Sequence, residues 1–159
     1  MLGRSFRKPI SSYGNLPNER WCQRCAPPSL EEESWRQTHF NTIANTGDAA
    51  DDANPDHDNL TNLLEFATGH LPKRPDGTIT YLTKSGPELE FTYPRSHAAV
   101  AHRIAFAVER SDALGSDWTT NQISEAPLPG TDNGATQLWR AAAPVGTSKR
   151  LLHLRITIP

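Results

Sequence analysis

The sequence predicts a mainly β protein, with two short helices around an acidic loop followed by an antiparallel β-sandwich. Three observations predict it. After Pro75, apolar residues recur at every second position in several short runs separated by Gly and Pro, the pattern of half-buried strands joined by turns. Before Pro75, Ser29 followed by Glu32 opens an acidic, helix-type stretch, as a capping box does. Between them, Asn54 to Glu65 sets oxygen-bearing side chains at nearly alternate positions.

Three segments follow from these patterns: 1–28, 29–76 and 77–159. The first holds Pro9, Gly14, Pro17, Pro27 and Pro28 among polar residues, with no apolar period, and reads as an irregular or disordered arm. Cys22 and Cys25 lie in it; a single Cys-x-x-Cys supplies two of the four ligands a zinc site needs, and no thioredoxin-like pattern follows. In the second segment the spacing predicts a helix over 30–40, with Glu31, Glu32 and Glu33 at its positive end and Leu30, Trp35 and Phe40 as its buried contacts. Asp48, Asp51 and Asp52 form an acidic turn that fits no complete ion loop and reads first as solvated, although these residues could lend an outer carboxylate to the ion site or hold a second, weaker ion. A second helix is expected over 61–68, ended by Gly69 and barred from continuing by Pro72 and Pro75.

The third segment alternates. Leu89, Phe91 and Tyr93 fall on one face and Glu88, Glu90 and Thr92 on the other. Ile104, Phe106 and Val108 repeat the pattern, as do Leu152, Leu154, Ile156 and Ile158. Weaker strands are expected over 78–83, 119–124 and 136–141. Short strands of this spacing argue for an antiparallel sandwich or small barrel. Trp118 and Trp139 are expected in its core or along its edge, Trp118 near the 104–108 strand. The alternative is an exposed aromatic platform that stacks on sugars.

The loop carries the clearest chemistry. Asn54, Asp56 and Asp58 occupy its first, third and fifth positions, Leu60 its seventh, Asn62 its ninth and Glu65 its twelfth. Three side-chain oxygens, a backbone carbonyl, a direct or water-mediated ligand and a closing bidentate carboxylate are what a hard cation such as Ca²⁺ takes from a loop. Two positions depart from the usual pattern. Asn54 stands where Asp is common, which removes a charge. Asn59 stands where Gly is common, and Asn accommodates a left-handed backbone better than other residues with a side chain. Read without a metal, the same residues make an Asx-rich turn before a helix.

These residues also carry a resemblance. Glu33-Ser-Trp35-Arg-Gln-Thr-His-Phe40, Ala44-Asn-Thr-Gly-Asp48-Ala-Ala-Asp51, the loop, and Leu63-Leu-Glu65-Phe-Ala-Thr-Gly69 run in order. Phe106-Ala-Val-Glu109-Arg-Ser111-Asp112-Ala-Leu114, Asp117-Trp118-Thr119 and the closing Arg150-Leu-Leu-His-Leu154-Arg-Ile-Thr157 follow. From about residue 29 to the end, the chain resembles the carboxy-terminal module of large secreted or surface proteins of Verrucomicrobia and related bacteria. Its loop resembles those of thrombospondin type 3 repeats and dockerins, although only one copy is present. The resemblance implies an extracellular or cell-surface location and a bound Ca²⁺ at Asn54, Asp56, Asp58, Leu60, Asn62 and Glu65. It implies no activity.

Composition narrows the remaining classes. A net charge of −2 over 159 residues points away from nucleic acid and anionic membranes as partners, and no apolar run is long enough to span a bilayer. Arg4, Arg7 and Lys8 are not followed by the apolar core of a secretory signal, so the chain reads as a fragment of a longer secreted protein. There is no Gly-rich phosphate loop and no Gly-x-Ser-x-Gly elbow, while paired carboxylates for sugar hydrolysis stay open, since folding sets their proximity. Two functions follow: a non-catalytic calcium-binding module serving spacing, stability or attachment, or a carbohydrate-binding module of a secreted glycoside hydrolase. The expected partner is a cell-surface or extracellular polysaccharide or protein.

Overall fold

Helix α1 (Ser29–Phe40) opens the described part of the chain; the computed structural model describes residues 29–76, 79–113, 117–146 and 149–158. The expectations for the arm 1–28, with Cys22 and Cys25, lie outside the described residues. A short 3-10 turn (Gly47–Ala49) follows α1, then α2 (Asn62–Thr68). Gly69 ends α2 in the left-handed region, at φ 78°, with its N–H donating to the Glu65 carbonyl, as anticipated for a helix-ending glycine.

Six strands follow among the described residues: β1 (Tyr81–Ser85), β2 (Glu88–Ser96), β3 (Ala105–Ser111), β4 (Ser124–Pro127), β5 (Thr136–Pro144) and β6 (Leu151–Thr157). They form two antiparallel sheets, one ordered β1-β2-β5-β4 and one pairing β3 with β6. The protein is therefore mostly β, with antiparallel pairing throughout. The strand expected over 78–83 is found shifted, as β1. The stretch 119–124 contributes a single bridge from Thr119 to Arg110, and the strand starts at Ser124 instead. In it Ser124 pairs with Ala142 and Pro127 with Trp139 of β5.

Alternation along β2 and β3 does what the sequence predicts. Phe91 and Tyr93 of β2, Ala141 of β5 and Val108 of β3 belong to one buried cluster, flanked by Phe106, Trp139, Leu152 and Leu154. Tyr93 and Val108 have no exposed surface, and burial of such side chains stabilises by about 1.5–3 kcal/mol each. Polar groups are fitted into this cluster. Glu125 on β4 accepts from the Val108 N–H at 3.0 Å through Oε1 and from the Tyr93 hydroxyl at 2.5 Å through Oε2. The same Oε2 accepts from Arg95. Burial, and then the neighbouring Glu125 carboxylate, push the Tyr93 phenol well above its ordinary value. The Arg95 guanidinium lies 3.8 Å from the Trp139 ring centroid, a cation–π arrangement.

A second cluster joins the helices to the strands. Phe66 and Ala67 of α2 pack with Ala99 and Ile104, with Trp35 of α1 and Phe106 and Ile156 of the two-stranded sheet alongside. Ala99 belongs to α3 (His97–Ala101), a helix the sequence did not announce; Ser96 caps it by accepting from the Ala99 N–H. Glu32, the acidic member of the capping-box pattern whose Ser29 side chain lies outside the described residues, pairs with Arg36 and lies 3.0 Å from His102 Nε2. Both Glu32 and Arg36 are buried, so part of the inward side of α1 is ionic. Trp118 is half-buried and stacked on His153 of β6, with ring centroids 3.8 Å apart. No helix among the described residues is long and apolar enough to cross a membrane.

Candidate metal centre

The loop between the 3-10 turn and α2 begins with Asx chemistry. The Asp58 N–H donates to Asp56 Oδ1 at 3.3 Å, and the Leu60 N–H to Asp58 Oδ1 at 2.8 Å. These bonds curl the chain two residues at a time. The curl needs left-handed residues, and finds them at His57 (φ 62°) and Asn59 (φ 76°). Asn59 is the position where a left-handed backbone was expected; that His57 shares it was not. His57 is exposed, in keeping with a fourth position that faces away from the loop interior.

The side chains that remain turn inward. Carboxylate oxygens of Asp56, Asp58 and Glu65 all lie within 4.8 Å of one another, and this acidic triad could hold a metal ion. Glu65 is fully buried, and neither of its carboxylate oxygens has a hydrogen-bond partner. Asn54 Oδ1, Asp56 Oδ2 and Asn62 Oδ1 are likewise buried and unpartnered. Five such oxygens in one loop are unusual, since buried polar atoms are nearly always satisfied. Burial, and then the charges of Asp56, Asp58 and Asp76, push the Glu65 carboxyl up to about 8. The same repulsion among these carboxylates is what a bound cation would offset.

Asn62 is held by a segment outside the loop. Its Nδ2 donates to the carbonyls of Asp48 and Ala50 at 2.8 and 2.7 Å. With both amide hydrogens directed at the turn, its oxygen is left for the other side. The acidic turn therefore contributes backbone carbonyls to the centre. Asp51 is committed to Arg36 and Asn45, and Asp48 and Asp52 are exposed. Leu60 is buried beside the triad in sequence, its N–H fixed by Asp58.

Asp76 was not legible as part of this region. Its N–H donates to Asp58 Oδ2 at 3.2 Å, tying the loop to the chain that enters β1. Its own carboxylate is held by Arg74 and the Leu71 N–H, which keeps it below the ordinary carboxylate range, the Arg74 hydrogen bond being the main cause. No loop pattern contains it, because it follows Asp58 by 18 positions.

No family profile, curated protein or solved structure matches this chain.

Proposed function

We propose that this chain is a non-catalytic calcium-binding module of a secreted or cell-surface protein, serving spacing, stability or attachment. The observation that carries the reading is Glu65: fully buried, with both oxygens unpartnered, at the closing position of the loop. A carboxylate placed so is costly alone and becomes favourable as the bidentate ligand of a cation. Asn54, Asp56, Asp58, the Leu60 carbonyl and Asn62 supply the rest of the shell. Oxygens 2.3–2.6 Å from a common calcium ion stand at most about 5 Å apart, which agrees with the spacing of the triad. Ca²⁺ is favoured over Mg²⁺ because the shell is large and built from side chains on a loop.

The surrounding fold supports a scaffold role. The cluster shared by both sheets and the Val108–Glu125 bond between them support a sandwich. Among the described residues, Tyr81 is the single exposed aromatic, while Trp35, Trp118 and Trp139 are half-buried. That distribution argues against a sugar-stacking platform. The extracellular setting rests on the resemblance to secreted bacterial modules, and it calls for an affinity of about 10⁻⁴–10⁻³ M, the range of extracellular calcium sites.

Thermal melting with and without calcium tests the reading. At a tenfold excess over the dissociation constant, calcium should add about 1.4 kcal/mol. Glu65→Gln should abolish most of that gain, since an amide cannot replace a bidentate carboxylate. Identical melting of the unmodified chain in calcium and in chelator would reduce the loop to a helix cap.

A further inference from the structure

We infer that Arg36 on α1 is a positioning residue for the ion site, so that docking of α1 and binding of the cation are coupled through the 45–53 turn. The inference rests on the calcium reading above and adds to it a residue that touches none of the six ligands. Arg36 Nη2 donates to Asp51 Oδ1 at 2.5 Å. Asn45 holds the other side of Asp51, donating to Oδ2 at 2.8 Å and accepting the Asp51 N–H at 2.8 Å. The turn fixed in this way presents a row of carbonyls to the start of α2. Asp48 and Ala50 accept both hydrogens of the Asn62 amide. Ala53 accepts the Asn62 N–H at 2.9 Å, and Asp51 the Leu63 N–H at 3.0 Å.

The consequence for Asn62 is geometric. Its amide has one rotational setting in which both hydrogens meet carbonyls, and in that setting Oδ1 is the buried, unpartnered atom. If the turn shifts, the amide is free to rotate and the ninth-position oxygen is no longer held in place. Arg36 is itself buried and braced by Glu32, which also meets His102 beyond α3. The bracing therefore reaches the ion loop from α1 and α3. Coupling of this kind is reciprocal: whatever α1 docking adds to cation affinity, the cation returns to α1 docking.

Calcium titration calorimetry on the full chain, paired with chelator melts, separates the outcomes. The unmodified chain should bind one calcium, and Arg36→Gln should bind about tenfold more weakly, in line with outer-shell substitutions at metal sites. Arg36→Lys, which keeps a cation facing Asp51, should recover part of the loss. Calcium should slow amide hydrogen exchange in the second half of α1 in the unmodified chain and not in Arg36→Gln. If Arg36→Gln does not fold in chelator, Asn45→Ala, at an exposed position, takes its place and should weaken binding in the same direction. Unmodified affinity in the folded variants would overturn the coupling and leave the ion site standing. No calcium binding by the unmodified chain would overturn the ion site itself.

Discussion

Replacing Glu125 by alanine should destabilise the protein by about 2–5 kcal/mol, because one carboxylate serves three donors on two strands, β2 and β3. Oε1 accepts the Val108 N–H, and Oε2 accepts from Tyr93 and Arg95. Val108 and Tyr93 are fully buried, so water reaches their orphaned donors poorly; leaving one buried backbone N–H unpaired costs about 1–3 kcal/mol. The ion pair adds less than the 3–5 kcal/mol of a fully buried one, since the Arg95 and Glu125 side chains keep 13 % and 21 % of their surface exposed; about 1–2 kcal/mol is a fair share after that screening. At about 2–4 °C per kcal/mol for a chain of this size, the melting temperature should fall by about 4–20 °C. Glu125→Gln keeps an acceptor for Val108 while losing the charge, and should fall between the two. The assay is thermal and urea unfolding followed by circular dichroism at fixed calcium. A Glu125→Ala melting temperature within about 1 °C of the parent would refute the argument that this side chain joins the two sheets.

Two further predictions concern the ion loop and the end of α2. In chelator, the folded chain keeps a proton on Glu65 up to about pH 8, whereas the unfolded chain releases it near its ordinary value of 4.5. The folded state then binds more protons across that window, so this contribution to stability is complete at the acid end and is lost as pH rises through 8. The melting temperature of the parent relative to Glu65→Gln should therefore decline with pH in chelator, and a rising or level difference would sink the idea. Gly69→Ala should cost at least about 1–2 kcal/mol from its left-handed backbone, and more because the added Cβ would stand 2.3 Å from Thr136 Cγ2. Adding Thr136→Ser should return part of the loss in urea unfolding; no recovery would show that the contact is relieved by other means.

Much of this arrangement was legible in the sequence, and the exceptions share a cause. Phe91 and Tyr93 alternate along an interior strand, and period two is visible without knowing the partner. Asn59 fell where a loop of this type needs a left-handed residue, and it has that backbone. Helix α3 was missed because five residues, His97–Ala101, are too few to show a helical period. Glu32 and Arg36 are spaced like a surface ion pair, and nothing local distinguishes them from one; burial comes from packing against α3 and the turn. Asp76 and the carbonyls of Asp48 and Ala50 entered the site through contacts between distant positions, and backbone carbonyls carry no sequence signal at all.

The start of α2 has a kinetic consequence. Thr61 provides no side-chain cap, and the N–H groups of Asn62 and Leu63 are satisfied by Ala53 and Asp51. A helix of seven residues is far shorter than the roughly 12–15 that persist alone in water. Helix α2 is thus a poor candidate for an early folding nucleus, and its first N–H groups depend on acceptors that the turn ahead of it supplies. Substitutions that raise helix propensity within α2 should do little for the folding rate, whereas those that make the turn linger should hasten it.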